Sequence, residues 1–279
     1  MKTRLLTAAV ALPLLFAAII LPWWVPKTIW IFVGLSVLAL AAGLFEYFSL
    51  TKKMKLKADP GIGYIGAAIL TLAFMVDAPA KAPELLLLAI ALFLIALLIS
   101  QSFRFQADFT RMLAGIGVTL LGVLYLAFLG GFLISTRVGF ENVPGLSTKL
   151  LLFFFIVIFG SDAGAYFAGK ALGKHKLAPK ISPGKTWQGL IGGILAAAGF
   201  GALCTWAFFP ELPYQFSIAL AAVMAVVGVF GDLTESAIKR GAGAKDAATI
   251  LPGHGGLLDR LDSLLFNAPI LYYFAHFYF

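Results

Sequence analysis

Polar segments break the chain into nine apolar runs, roughly 5–22, 28–50, 61–77, 84–100, 112–135, 148–169, 187–209, 214–237 and 262–279. At ~1.5 Å per helical residue, such runs approach or exceed the ~30 Å hydrocarbon layer of a bilayer. In lipid every backbone N–H and C=O must find an internal partner, which leaves only helices and closed barrels. A barrel reads as ~10-residue segments of alternating polarity, whereas these runs are continuous. The fold class is therefore an all-α polytopic membrane protein, a bundle of about nine transmembrane helices. Composition agrees, with 61% hydrophobic and 12% charged residues, where soluble domains carry ~25% charged.

Charge sets the expected orientation. With the N-terminus cytoplasmic, the outside segments hold only Lys27, Lys81, Arg137 and Lys149, and the other 17 of the 21 Lys and Arg lie inside. That asymmetry is the positive-inside pattern. It predicts a multi-pass protein of the inner (cytoplasmic) membrane, with the polar loops 170–186 and 238–261 on the cytoplasmic side. The net charge of +8 is accounted for by these loops and by membrane lipids with anionic headgroups, so no nucleic acid partner is expected. Lys2 and Arg4 precede an apolar run as in a signal peptide, yet no small-residue cleavage site comes before Pro22-Trp23-Trp24. The first span is expected to stay, with the Trp pair anchoring it at the interface. Cys204, the single cysteine, reads as packing. Gly189, Gly193, Ala197 and Gly201 form a stripe of small residues that lets helices approach closely.

The acids are unevenly placed. Asp232, Glu235, Asp246, Asp259 and Asp262 crowd into 31 residues, and Asp162 interrupts the run Leu151–Tyr166. Acids at membrane depth are costly and mark function by default. Glu46, a lone acid toward the end of a span, is expected instead to snorkel to the interface. Asp232, Glu235, Ser236 and Lys239 fall at i, i+3, i+4 and i+7, one helical face, and Asp259 and Asp262 share another. Hard cations such as Mg2+ take carboxylate oxygens and bridge to substrate phosphates. Carboxylates beside Lys and Arg, next to the glycine-rich stretches Gly241–Ala244 and Gly253–Gly256, thus read as a metal-and-polyphosphate site. The bland reading is a web of interhelical salt bridges. Two stretches imitate a phosphate-binding loop, Gly164–Ala171 and Pro179–Thr186, but the first ends in Ala and the second lacks its first glycine. Neither qualifies.

Ser236-Ala237-Ile238-Lys239-Arg240, Lys245-Asp246, Pro252-Gly253-His254-Gly255-Gly256 and Asp259-Arg260-Leu261-Asp262 together resemble the signature of the phosphatidate cytidylyltransferase (CDP-diacylglycerol synthase) family. Ser161–Tyr166 and Lys176–Trp187 resemble a second family block. Gly184 stands where the family pattern has a basic residue, and Gln188 where it has an acid. The resemblance covers roughly residues 155–265; the first 110 residues match only as a hydrophobic profile.

The resemblance implies transfer of a cytidylyl group from CTP to phosphatidic acid, giving CDP-diacylglycerol and pyrophosphate, in phospholipid biosynthesis. It implies Mg2+, as one or two ions or with a monovalent cation, and a homodimer. Asp232, Asp259 and Asp262 are expected to hold metal, with Asp246 supporting the metal or orienting Lys245. Lys239, Arg240 and Arg260 are expected on the triphosphate or leaving pyrophosphate. Lys180, Ser182, Lys185 and Thr186 are expected on nucleotide or lipid phosphate, with Asp162, Ser236, His254, Gly255 and Gly256 lining the site. Residues 1–140 would form a structural, lipid-facing part that includes any dimer contacts, and 141–279 the catalytic region. The rivals are a CTP-dependent polyprenol or phytol kinase and an ion-coupled transporter. The acids' grouping beside basic loops, with no internal repeat, disfavours the transporter.

Overall fold

The computed structural model describes residues 2–80, 82–105, 109–140, 143–245 and 255–279. Among these, nine helical rods follow one another: α1 Lys2–Ile20, α2 Ile29–Lys53, α3 Pro60–Ala80, α4 Glu84–Arg104, a rod of α5 Met112–Val123 and α6 Leu129–Val138, then α7 Leu146–Leu172, α8 Trp187–Ala207, α9 Tyr214–Gly241 and α10 Leu258–Tyr278. A π-helical turn, Leu124–Phe128, joins α5 to α6 without a break. Seven rods are long and apolar enough to cross a membrane. Outside that set are α1, whose apolar stretch Ala9–Trp23 is shorter, and α10, whose first turns carry Asp259, Arg260 and Asp262. Exposed Leu, Ile, Phe and Trp side chains cover the rods' outer faces, the surface that lipid rather than water would meet. Cys204 is buried and free, as packing requires.

Within the loop 170–186 lies a feature that hydropathy alone does not reveal, an antiparallel hairpin of β1 Lys176–Ala178 and β2 Ser182–Thr186. Thr186 ends it in extended backbone and turns the chain into α8, its hydroxyl accepting from Gly189 N at 3.1 Å. That is an N-cap, which satisfies one of the orphan donors of the helix. The first turn-like motif, Gly164–Ala171, lies wholly inside α7, so it cannot cradle a phosphate as a loop.

The chain forms two compact units, one of Met1–Ser147 with Ile238–Leu261 and the other of Thr148–Ala237 with Asp262–Phe279. Residues 238–261 therefore group with the N-terminal helices. The reason lies in α2: Met54 at its end meets Gly241, and Glu46 bonds the backbone of Leu257 and Leu258. In this unit α3 packs on α4, α5 and α6, and α2 on α5 and α6.

In the other unit the stripe Gly189, Gly193, Ala197 and Gly201 is buried along α8. A Cβ on Gly193 would meet Ser161 and Ala165 of α7, and one on Gly201 would meet Ser217 and Ala221 of α9. Small residues here let α8 seat against both neighbours, as the spacing predicts. A second close approach matters more for chemistry. Gly231 of α9 lies against the Asp262 backbone of α10, so close that a Cβ would stand 2.4 Å from the Asp262 carbonyl oxygen.

Candidate active site

The contact between Gly231 and Asp262 places Asp232, the next residue, beside the first turns of α10. The charges that act on the Asp262 carboxyl are Asp232 and Asp162, both like charges, and Lys185, an opposite one. Lys185 reaches in from β2 with its Nζ 2.6 Å from Asp232 Oδ2 and 3.5 Å from the Val229 carbonyl oxygen. Ser236, one turn along α9, donates from Oγ to Asp232 Oδ1 at 3.2 Å. Asp262 Oδ1 accepts from Ser263 N at 2.6 Å. Three carboxylates and one ammonium from α7, β2, α9 and α10 thus converge in one unit. Asp162 of α7 is exposed, while Glu235, on the α9 face of Asp232, is buried. Like charges gathered this way are unfavourable without a cation, and Lys185 supplies only one.

In the other unit the signature segment is tied down differently. Lys239 Nζ lies 2.5 Å from Asp259 Oδ1, with both side chains largely buried. Asp259 Oδ2 accepts from Gly256 N at 2.8 Å. Gly255, with φ +81°, holds a left-handed conformation that a side chain would strain. Glu46, expected to snorkel to an interface, is instead fully buried and accepts from Leu257 N at 2.9 Å and Leu258 N at 2.7 Å. The correction has a physical cause: a helix N-terminus offers unpaired donors and partial positive charge, which hold a carboxylate better than an interface does.

Several expected site residues have other surroundings. Thr186 is buried and spends its hydroxyl on the α8 cap. Gln188, in place of an acid, accepts from Lys174 N and His175 N at 3.2 Å each and meets His175 Nδ1 at 2.8 Å. An amide at 188 therefore fastens the start of the hairpin. Lys180, Arg240, Lys245 and Arg260 are exposed, and Ser182 is half-buried at the start of β2. Asp246 and His254 lie outside the described residues.

Among the described residues no group of three or more His, Cys, Asp or Glu could hold a metal ion. Asp259 is engaged by Lys239 and Gly256. Asp232 and Asp262 nevertheless fit Mg2+. Their donors are all hard oxygens, Lys185 already shows that a cation is favoured at Asp232, and Mg2+ uses one or two carboxylates and fills its remaining positions with water and substrate phosphate.

A polytopic helical membrane protein with carboxylates and a lysine drawn together from its helices and hairpin, suited to metal-assisted phosphate chemistry, defines a class of integral-membrane enzymes. The model of the Cytidylyltransferase family matches residues 2–278, and the chain belongs to that family. It is 35% identical over 275 residues to the phosphatidate cytidylyltransferase of Bacillus subtilis (strain 168), covering 98% of this chain and 97% of that one. It is 31% identical over 298 residues to the phosphatidate cytidylyltransferase of Synechocystis sp., covering 98% and 95%. The like-named protein of Haemophilus influenzae is 41% identical over 156 residues, 54% of this chain and 53% of that one.

Proposed function

We propose that the chain is a phosphatidate cytidylyltransferase, transferring the cytidylyl group of CTP to phosphatidic acid. The observation that carries the reading is the Lys185–Asp232 pair beside Asp262, in a chain of the cytidylyltransferase family. An oxygen of the lipid phosphate attacks the α-phosphorus of CTP. The bond from that phosphorus to the bridging oxygen of the β-phosphate breaks, and pyrophosphate leaves. The phosphate oxygen is already a competent nucleophile, so no strong general base is needed. Both reactants are anions, and the tasks are charge neutralisation and in-line positioning.

Asp232 and Asp262 are assigned to Mg2+, with Asp162 lining the same cluster. When bound, the ion supplies charge neutralisation on the phosphates and polarises their oxygens. Lys185 holds Asp232 in place and offers its ammonium to phosphate. Lys239, Arg240 and Arg260 are assigned to the triphosphate and the leaving pyrophosphate, with Asp259 fixing the Lys239 ammonium. Gly255 and Gly256 give the backbone room to approach phosphate. An active site facing the cytoplasm, an inner-membrane location and a homodimeric assembly belong to the same proposal. They are supported by the distribution of Lys and Arg and by the family resemblance.

The test uses purified protein, phosphatidic acid vesicles, Mg2+ and CTP labelled at either the α- or the γ-phosphate. Label from the α position should appear in lipid. Label arriving from the γ position instead identifies a lipid kinase and overturns the proposal.

A further inference from the structure

We infer that Glu46, far from the signature in sequence, is a positioning residue for it. Glu46 caps the N-terminus of α10 and so fixes the turn that presents Asp259 to Lys239. The inference rests on the proposed function only for its kinetic readout.

Glu46 is fully buried in α2. Its two carboxylate oxygens each take one backbone donor, Oε1 from Leu257 N and Oε2 from Leu258 N. These are the residues just before and at the first position of α10. The same stripe of α2 continues the contact. Gly43, one turn earlier, is close enough to Leu261 that a Cβ would lie 3.2 Å from its Cδ1. Thus α2 and the first turn of α10 meet along two residues of each. A capping side chain normally comes from the helix's own preceding residues. Here the residue before the helix is Leu257, whose apolar side chain carries no acceptor, and Gly255 and Gly256 before it have no side chain at all. Glu46 satisfies the Leu257 and Leu258 N–H groups from another helix. Charge-assisted bonds from backbone N–H to carboxylate are about twice as strong as neutral ones. The next residue, Asp259, then accepts from Gly256 N and pairs with Lys239. The turn from Gly256 to Asp259 is therefore held from both ends, by Glu46 and by Lys239.

Glu46→Gln keeps the volume but presents an NH2 group to one of two N–H donors, so one bond is lost and replaced by a donor–donor contact. Glu46→Ala loses both. The control is Tyr47→Phe, the neighbouring residue on α2, whose hydroxyl donates to the Val118 carbonyl of α5 at 2.9 Å. Full-length protein in detergent is examined by hydrogen–deuterium exchange on peptides covering 255–261, by thermal unfolding and by cytidylyl-transfer kinetics. Both Glu46 variants should exchange faster in 255–261, and kcat should fall about 10-fold or more, the cost scale of sub-ångström misplacement, with KM for phosphatidic acid nearly unchanged. Tyr47→Phe should lower thermal stability and leave the exchange in 255–261 and kcat as they were.

Unchanged exchange in 255–261 for Glu46→Gln overturns the inference, whatever the activity. So does an equal loss of kcat in Tyr47→Phe, which makes the effect one of general stability. Failure of both Glu46 variants to fold assigns the residue to stability alone and overturns it too. Faster local exchange in a protein whose wild type transfers no cytidylyl group upholds the positioning role and rejects the proposed reaction.

Discussion

Gly231→Ala probes the placement of the site with a single methyl group. The added Cβ would stand 2.4 Å from the Asp262 carbonyl oxygen, 3.1 Å from its carbon and 3.2 Å from Ser263 Cα. Carbon–oxygen contacts are comfortable from about 3.3 Å. The two backbones must therefore part by about 1 Å, since neither neighbour is the end of a flexible side chain. Overpacking of this kind costs about 1–3 kcal/mol, and removing a helix-interior glycine returns about 0.5–1 kcal/mol. The net loss, up to about 2.5 kcal/mol, leaves most molecules folded in a domain of ordinary stability. Catalysis is less forgiving, because a displacement of about 1 Å costs on the order of 100-fold. The assay is kcat for α-label transfer from CTP, normalised to folded protein, alongside thermal unfolding. Gly199→Ala in α8, with nothing within 4 Å of the added methyl, is the control and should stay within about two-fold of wild type. A Gly231→Ala enzyme that matches this control in kcat would show that the α9–α10 approach does not set the site.

The other predictions follow from the same contacts. Asp262→Asn should lower kcat on the order of 100-fold or more, the scale of losing one main electrostatic stabiliser; near-normal turnover refutes its assignment to metal. Lys185→Ala should lower kcat/KM for CTP by about 10-fold or more through loss of the charge at Asp232, and Lys185→Arg should recover part of it; equal values for the two variants exclude a charge role. Thr186→Ala should lose about 1 kcal/mol of stability through the missing α8 cap and keep kcat per folded molecule, measured by thermal unfolding and label transfer.

The helices were legible because lipid imposes a simple rule, long continuous apolar runs, and all nine runs coincide with helical rods. The small-residue stripe of α8 was legible for a similar reason, since its spacing of four has one meaning on a helix. What was not legible depends on contacts between distant segments. The hairpin Lys176–Thr186 is too short and polar to show a period. The grouping of 238–261 with the N-terminal helices follows from Glu46 and Met54, more than 180 residues away in sequence. Glu46 did carry a signal, an acid inside an apolar run, which default reasoning marks as functional. Its partner was invisible because backbone N–H groups leave no trace in residue type. Most acids of the site were named from spacing along single helices, and the Lys185 partner of Asp232 comes from packing. Spacing likewise gave no sign that Lys239 pairs with Asp259.

Direct titration of Mn2+, a paramagnetic substitute for Mg2+, into purified protein with CTP tests the metal assignment. Electron paramagnetic resonance reads the free ion. Wild-type protein should bind Mn2+ more tightly when CTP is present, and Asp232→Asn and Asp262→Asn should each abolish that bound fraction while remaining folded. Both variants binding Mn2+ and CTP as the wild type does would contradict the account.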